Sequence, residues 1–265
     1  MVLAVLLIIA IKWKIENNEN EKVNDYILSI AESTVDTTIQ ETPSETEQVT
    51  PTVSDTSEPT QSPTEEPKIK YKENSRNINF ASLQDENTDI IGWIEIPGTV
   101  VDYPIVQTLN NDYYMDYNVK KIKSIVGAIF MDSDNHSFED INTVIYGHNL
   151  NNGTMFAALH EYEKESFYEK NKYINIYTPK GQLTYEIFAV YERDDSRILY
   201  QADFDNKEYY QSYLDSVLNG DNKYYVLEDI KVTTDDNIIS LSTCVRNKPK
   251  SRFIVQGVLI DETQD

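Results

Sequence analysis

The chain has 265 residues, of which 40% are hydrophobic and 11% aromatic, and this is enough for at least one folded core. Its 45 acidic residues outnumber its 23 Lys and Arg, and the formal net charge of -22 argues against a nucleic-acid partner and against broad electrostatic attraction to anionic lipid. A single cysteine excludes an intramolecular disulfide and a site of several thiolates, and we predict no metal site and no cofactor.

The first residues, MVLAVLLIIAI, form an apolar run that ends at Lys12. A membrane-spanning helix needs about 20 apolar residues, and this run is shorter. We therefore interpret it as the last part of an anchor that begins further upstream. Lys12 and Lys14 follow the run, which by the positive-inside rule is the wrong side for an anchor with its N-terminus inside, so charge does not give the orientation. We predict that residues 1–14 are an N-terminally truncated membrane anchor; a buried helix of the folded domain is the alternative.

Residues 15–70 have the composition of a disordered acidic tether. The stretch ETPSETEQVTPTVSDTSEPTQSPTEEP is rich in Ser, Thr, Pro and Glu and contains no aromatic residue. Such a sequence cannot bury enough apolar surface to offset the entropy lost on ordering. Within the tether, only 22–33 has apolar residues at helical spacing, which would allow a marginal helix.

From residue 71 to residue 265 the sequence changes to aromatic and β-branched runs separated by turn residues, as is typical of a folded β domain. Eight of these runs are predicted strands, at 92–96, 101–107, 127–132, 142–148, 173–178, 183–192, 237–243 and 252–260. Helical patterns occupy 79–87, 154–169 and 206–220. Eight strands predict a mainly β fold, a barrel or a sandwich, rather than alternating β-α-β units.

Two residues with catalytic chemistry end predicted strands. Cys244 follows NIISLST, where its side chain can reach the rim of a barrel, and His148 ends NTVIYGH. A cysteine acts as a nucleophile through its thiolate, which a nearby histidine or arginine favours. His136 falls in a predicted turn, and His160 falls on a predicted helix surface without an obvious partner. A buried structural cysteine and a solvent-facing loop histidine are the alternatives for the first two residues.

Two arginines, Arg246 and Arg252, flank the polar loop after the cysteine. If the two apolar runs are adjacent antiparallel strands joined by the loop 245–251, Arg252 begins the second strand and lies across from the end of the first. Arg246 lies within the loop and is predicted to point into water. This pairing favours Arg252 as the partner of Cys244.

Five parts of the chain carry a recognisable pattern. SLSTC ends at Cys244, Arg252 lies on the next predicted strand, and His148 lies in YGHNL. The stretches NTDIIGWIEIPGTVVDYPIVQTLNNDYYM and GAIFMD precede them. In these features the chain resembles a class B sortase, which joins a T/S-L-x-T-C motif to an arginine on the next strand and to a histidine that ends an earlier one. Ser240 stands where many members have Thr, and it keeps the hydroxyl.

The resemblance covers about residues 78–262 and implies a fold, a location and partners. The implied fold is an eight-stranded sortase-type β-barrel with N-terminal helices and a helix in the connection before the Cys-bearing strand, where 206–220 lies. The implied location is the cell membrane of a Gram-positive bacterium, with a single pass and the catalytic domain on the extracellular face. The implied partners are surface proteins that carry a sorting signal and a peptidoglycan precursor or cross-bridge amine.

The resemblance also assigns roles to residues. Cys244 would attack the carbonyl after the Thr of a sorting signal and form a thioester, and His148 would exchange protons with the leaving and incoming amines. Arg252 would donate hydrogen bonds to the substrate carbonyl or the developing oxyanion.

Substrate contacts are implied on both sides of the nucleophile. Ser242 and Thr243 would line the groove beside the cysteine. Ser196 and Tyr200, in the connection before the helix at 206–220, would form a wall of that groove.

Three other functions compete with this prediction. STCVR partly matches the S-x-G-C-[VI]-R motif of the L,D-transpeptidases, in which the arginine would be Arg246. The Gly of that motif is absent, and His148 lies far upstream in the sequence. A papain-like or other Cys/His hydrolase normally has its cysteine before its histidine, the reverse of the order here. A tethered, non-catalytic β-domain that binds a surface partner would use Cys244 and His148 for packing only.

Overall fold

The computed structural model describes residues 2–33, 69–200, 202–221, 223–227 and 229–260. Within these residues the strands are β1 (Ile90–Glu95), β2 (Asp102–Val106), β3 (Ile129–Met131), β4 (Asn142–Tyr146), β5 (Tyr173–Thr178), β6 (Gly181–Asp194), β7 (Lys223–Val226), β8 (Ile238–Val245) and β9 (Lys248–Leu259). The helices are α1 (Val2–Ala31), α2 (Phe80–Glu86), α3 (Tyr113–Asp116), a 3-10 helix (Phe156–Glu163), α4 (Glu165–Tyr168) and α5 (Lys207–Asn219).

Eight of the strands close into a barrel. Neighbouring strands follow the order β5, β1, β2, β3, β4, β8, β9, β6, and β6 pairs with β5 to complete the circuit. β7 extends the sheet from the second half of β6. The pairs β2 with β3 and β4 with β8 are parallel, whereas the others are antiparallel. The predicted mainly β, eight-stranded barrel is therefore confirmed, and each of the eight predicted runs contributes a strand.

The side chains of β8 alternate between the barrel interior and its outer face, as strand geometry requires. Ile239 and Leu241 belong to a buried cluster with members from all eight barrel strands, which fills the interior. The alternate residues Ser240, Ser242 and Cys244 therefore face outward. The candidate nucleophile lies on the outer face of a sheet whose other face is fixed by the core.

Helix α5 covers part of this outer face. The Asn206 side chain caps it by accepting hydrogen bonds from the backbone N–H groups of Glu208 and Tyr209. Its buried residues pack in one cluster with residues of β8 and β9: Tyr210, Leu214, Val217, Ile238, Ile254 and Val258. The helix predicted at 206–220 is confirmed, and it leaves the end of β8 that carries Cys244 exposed.

Helix α1 extends further than the sequence predicted. Residues 15–31, assigned to the disordered tether, are helical, and Ile27 and Ala31 are buried in a cluster with Phe80 and Leu83 of α2. This packing supplies the stabilisation that the isolated segment lacks. Residues 34–68, which make up most of the predicted tether, lie outside the described residues.

The predicted membrane anchor is contradicted by the structure. Among the residues that the structure describes, no helix is both long enough and apolar enough to cross a membrane. Helix α1 has 30 residues, but its apolar run stops at Lys12, and Lys14 and Glu16 follow within the same helix. The predicted single-pass span in the cell membrane is therefore contradicted within the residues that the structure describes.

Candidate active site

Three adjacent strands, β4, β8 and β9, bring together the three residues of the predicted site. β8 pairs with β4 in parallel, with Tyr146 opposite Ser242, and pairs with β9 in antiparallel fashion, with Cys244 opposite Arg252. Continuing the β4 register by two residues places His148 at the position paired with Cys244. Because paired residues point to the same face of a sheet, these three side chains form one row across three strands, which we call the catalytic row.

All three side chains of the catalytic row line one cavity of about 210 Å³. Ser242, Thr243 and Ser196, for which the resemblance implies substrate contacts, also line it. Tyr200 does not, because it lies in a neighbouring cavity of about 450 Å³, and its side chain is 64% exposed. The structure thus brings three of the four predicted substrate contacts to the thiol.

The hairpin after Cys244 is tighter than predicted. β9 begins at Lys248 instead of Arg252, and the turn consists of Arg246 and Asn247 alone. Asn247 has a φ of 62°, a conformation that asparagine tolerates better than most residues. Arg246 is exposed and does not line the cavity with Cys244, so the prediction that it points into water is confirmed.

A bulge in β9 places Arg252 opposite the nucleophile. The strand register shifts between Cys244 and Val245, which leaves residues 249–251 as an insertion on the β9 side. Arg252 Nη1 donates to the carbonyl oxygens of Pro249 and Ser251, at 3.1 and 3.0 Å. Both of these bonds come from Nη1, so the Nη2 side of the guanidinium is available to an oxygen atom of a substrate.

A backbone carbonyl group binds one edge of the His148 ring. Its Nε2 lies 2.8 Å from the carbonyl oxygen of Met115. A carbonyl can only accept, so we assign the hydrogen to Nε2, which leaves Nδ1 unprotonated in the neutral ring. Gly127, with a φ of +62°, packs against the same edge, and a Cβ atom there would lie 2.9 Å from His148 Cδ2. Nδ1 is therefore the nitrogen that is available for proton exchange.

A buried carboxylate, Asp132, fixes another part of the cavity wall. It forms an ion pair with Arg197 and accepts hydrogen bonds from the Tyr146 hydroxyl at 2.7 Å and the Asp134 N–H at 2.9 Å. Burial alone raises the pKa of Asp132, but these hydrogen bonds outweigh it and hold the pKa below the usual 3.8. Burial and the nearby Asp132 charge raise the pKa of Tyr146. Arg197 is thus held at the cavity by a charged, buried partner.

The sequence did not single out several cavity residues. They come from the loop before α3, from α3 itself and from the end of β6 with the connection that follows: Asn111, Asp112, Met115, Arg193, Asp195, Arg197 and Ile198. Loop residues carry no periodic pattern, so hydrophobic spacing could not reveal them. The one available signal was Asp132, a charged residue at the end of the predicted strand GAIFMD.

His160, predicted to lack a partner, lies behind the nucleophile. Its Nε2 is 3.1 Å from the carbonyl oxygen of Cys244, and its ring packs on Phe253 with a centroid distance of 4.4 Å. The prediction of an isolated surface histidine is therefore wrong. The reason is that the 3-10 helix packs on β8 and β9, a contact that the local sequence does not indicate.

Several charged groups near the cavity form ion pairs. Asp132 and Asp134 both bind Arg197, and Glu163 contacts His160. Within the described ranges, no group of three or more His, Cys, Asp or Glu side chains is positioned to hold a metal ion.

Known proteins share this sequence pattern and this fold. The Sortase domain family matches residues 94–260. Sortase B of Listeria monocytogenes is 37% identical over 181 residues, which cover 67% of this chain and 72% of that protein. The chain belongs to the class B sortases. As a sortase it is a cysteine transpeptidase, and the resemblance seen in the sequence is confirmed.

Solved sortase B structures have the same fold. Clostridium perfringens sortase B is 32% identical, with a TM-score of 0.60 over 69% of this chain and 100% of that chain. A Staphylococcus aureus sortase B-substrate complex is 33% identical, with a TM-score of 0.62 over 69% of this chain and 85% of that chain. The sortase barrel thus accounts for the part of the chain that carries the catalytic row.

Proposed function

We propose that this sortase cleaves a C-terminal sorting signal after Thr through a Cys244 thioester and transfers the shortened protein to a peptidoglycan amine. The observation that carries the proposal is the catalytic row, which supplies a nucleophile, an acid/base group and an oxyanion donor at one cavity. A sortase B-substrate complex is known for the Staphylococcus aureus relative, and it supports this cavity as the substrate site.

The first half of the reaction forms the thioester. The Cys244 thiolate attacks the carbonyl carbon of the Thr residue, and the oxyanion that develops accepts hydrogen bonds from Arg252. As the tetrahedral intermediate collapses, the peptide C–N bond breaks and protonated His148 donates a proton to the departing amine. The N-terminal part of the substrate remains attached to Sγ as a thioester.

The second half transfers the acyl group. An acceptor amine attacks the thioester carbon, His148 takes a proton from that amine, and the Cys244 thiolate leaves. A new amide bond replaces the thioester, and both groups return to their starting protonation states. The exposed thiol allows the second substrate to approach after the first product departs.

Observations at the site weigh against the two main alternatives. The L,D-transpeptidase hypothesis needs Arg246, which is exposed in the hairpin turn away from the cavity. A non-catalytic β-domain would use Cys244 for packing, whereas this thiol is exposed beside a histidine position and an arginine.

Incubation of the protein with a peptide library and an amine tests the proposal. The library holds sorting-signal peptides with Thr-Gly or Thr-Asn at the cleavage site, and the acceptors are an oligoglycine and a diaminopimelate stem peptide. Mass spectrometry is expected to show products in which the peptide portion ending in Thr is joined to an amine. Cys244→Ala is expected to give none of these products.

Two results would reject this function. One is wild-type protein that processes no peptide in the library, and the other is equal processing by wild type and Cys244→Ala. Cleavage without transfer to either amine would reject the transpeptidation step and leave a hydrolase.

A further inference from the structure

The strands that carry His148 and Cys244 stay tied together beyond the end of their backbone ladder. The Gly147 N–H donates to the Ser242 carbonyl at 3.2 Å, and Thr243 Oγ1 donates to the Gly147 carbonyl at 2.7 Å. One step further, Asn149 Nδ2 donates to the Cys244 carbonyl at 2.9 Å. Side chains therefore continue the pairing up to the two residues that the reaction uses.

Asn149 connects the chain segments that carry His148 and Cys244. It directly follows His148 in the chain, and its amide binds the backbone of Cys244. A flipped amide would place Oδ1 against the Cys244 carbonyl oxygen, so the hydrogen-bond network assigns Nδ2 to this contact. One hydrogen bond thus links the backbone that carries the acid/base group to the backbone that carries the nucleophile.

His160 completes this link. Its Nε2 lies 2.9 Å from Asn149 Nδ2 and 3.1 Å from the Cys244 carbonyl oxygen, and its Nδ1 lies 3.2 Å from Glu163 Oε1. A carboxylate accepts, so Nδ1 carries a hydrogen, and the neutral Nε2 then accepts from Asn149 while the second amide hydrogen binds the Cys244 carbonyl.

The ring of His160 has little freedom to leave this position. It packs on Phe253, which is fully buried and directly follows Arg252 in β9. The 3-10 helix that carries His160 also packs on β8 and β9. His160 therefore contacts the strands of both the nucleophile and the oxyanion donor.

Asn149 and His160 lie outside the cavity of the catalytic row. They line a separate cavity of about 510 Å³ together with Val245, Arg246 and Lys248. A ligand confined to the cavity of the catalytic row would not contact their side chains. Their effect on the reaction must therefore pass through the backbone of Cys244 and His148.

We propose that Asn149 and His160 form a positioning pair that sets the geometry of Cys244 relative to His148. This inference rests on the proposed function and adds two residues to it. Loss of either side chain loosens the end of β8 without removing a substrate contact. Because misplacement of reacting groups slows chemistry more than binding, the expected effect is on kcat and not on KM.

Steady-state kinetics of Asn149→Ala, Asn149→Asp and His160→Ala test the pair. We expect kcat to fall about 10- to 100-fold while the KM values for peptide and amine change less than about twofold. Asn149→Asp keeps the shape but cannot donate, so it is expected to lose activity while the protein remains folded at the assay temperature. His160→Gln, which retains an oxygen that can accept from the Asn149 amide, is expected to recover most of the loss seen in His160→Ala.

Two matched controls separate this pair from its surroundings. Asn151→Ala removes an exposed asparagine from the same loop, and His136→Ala removes an exposed histidine from another loop. Both are expected to keep wild-type kcat. Full kcat in folded Asn149→Asp and His160→Ala, or an effect confined to the KM for the amine, would overturn the proposal.

Alkylation of the thiol keeps this test independent of the proposed reaction. The rate at which iodoacetamide modifies Cys244 at neutral pH, without substrate, is expected to fall about tenfold in Asn149→Asp and to stay unchanged in Asn151→Ala. If no sorting peptide is processed even by wild type, the proposed function fails while this rate still decides the positioning pair. Equal alkylation rates in all variants would contradict it.

Discussion

At the scale of single residues, the site depends on strand register more than on sequence proximity. Arg246 is two positions from Cys244 and turns into solvent, whereas Arg252 lies eight positions away and is its strand partner. Antiparallel pairing of two predicted strands was enough to choose between them from the sequence. The bulge at 249–251 was not predictable, because nothing in local propensity indicates an insertion of this length.

The two arginines provide the first prediction. Arg252→Ala is expected to lower kcat about 100- to 1,000-fold, because it removes the proposed oxyanion donor opposite Cys244. Arg246→Ala serves as the matched control and is expected to keep most of the activity. The measurement is the rate of peptide transfer to an amine, and the opposite ranking of the two variants would refute the strand-pairing argument.

Alanine substitutions at two glycines test how His148 is positioned. Gly127 and Gly153 both have positive φ, so alanine at either position is expected to cost about 1–2 kcal/mol of stability. Only at Gly127 would the new Cβ also meet the His148 ring and the carbonyl oxygens of Tyr114 and Met115; at Gly153 no heavy atom lies within 4 Å.

Gly127→Ala is therefore expected to reduce kcat as well as stability, and Gly153→Ala to reduce stability alone. Chemical denaturation and steady-state kinetics of both variants give the comparison. Equal kcat in the two variants would show that the backbone around Gly127 does not position His148.

At the scale of elements, hydrophobic patterning located the barrel strands well and their ends less well. The eight predicted strands are present because their buried positions alternate or run continuously, which is what a closed sheet requires. β7 was missed because it has only four residues, all at least partly exposed, and pairs along one side only. His160 was misplaced because a 3-10 helix lacks the spacing by which a buried helical face is recognised.

The ion pair between Asp132, which follows β3, and Arg197, in the connection after β6, gives a prediction about stability. Asp132→Asn keeps the shape of the side chain but removes the charge that binds Arg197, and it is expected to lower the free energy of unfolding by about 1.5–3 kcal/mol at neutral pH. Asp134→Asn is the control, since its carboxylate is 48% exposed and contacts the same arginine. We expect it to change stability by less than about 1 kcal/mol.

The pH dependence of this difference has a definite sign. The folded protein holds the pKa of Asp132 below its usual 3.8, so the stabilisation is fully present above that value and declines as the pH falls below it. Urea unfolding of wild type and Asp132→Asn is expected to show two curves that converge in acid. A gap that widens in acid would mean that the carboxylate is not stabilised in its charged form.

At the scale of the whole molecule, the N-terminal helix is joined to the barrel domain. Ile27 is buried against α2, and Asn20 is buried and receives a hydrogen bond from Asn118 at 2.9 Å. The sequence placed the domain boundary at residue 71, where aromatic and β-branched runs begin, and this left α1 outside the predicted domain. Its partners lie tens of residues away, so no local pattern could reveal the contact.

Truncation of Ile27 tests whether this helix is part of the folded unit. Ile27→Ala is expected to lower the free energy of unfolding by about 2–5 kcal/mol, because the side chain is 1% exposed. Ile15→Ala, in the same helix but 54% exposed, is expected to stay within about 0.5 kcal/mol of wild type. Equal effects of the two changes in chemical denaturation would mean that α1 does not pack on the domain in solution.

The central claim is that Cys244 forms a thioester with a sorting signal, and intact-protein mass spectrometry tests it most directly. Wild-type protein is mixed with a peptide that it cleaves, and the reaction is quenched in acid. The protein should gain the mass of the peptide portion ending in Thr, and digestion should map this added mass to Cys244. Hydroxylamine should release that portion as a hydroxamate. A processed peptide without any adduct on Cys244, or with the adduct elsewhere, would contradict the account.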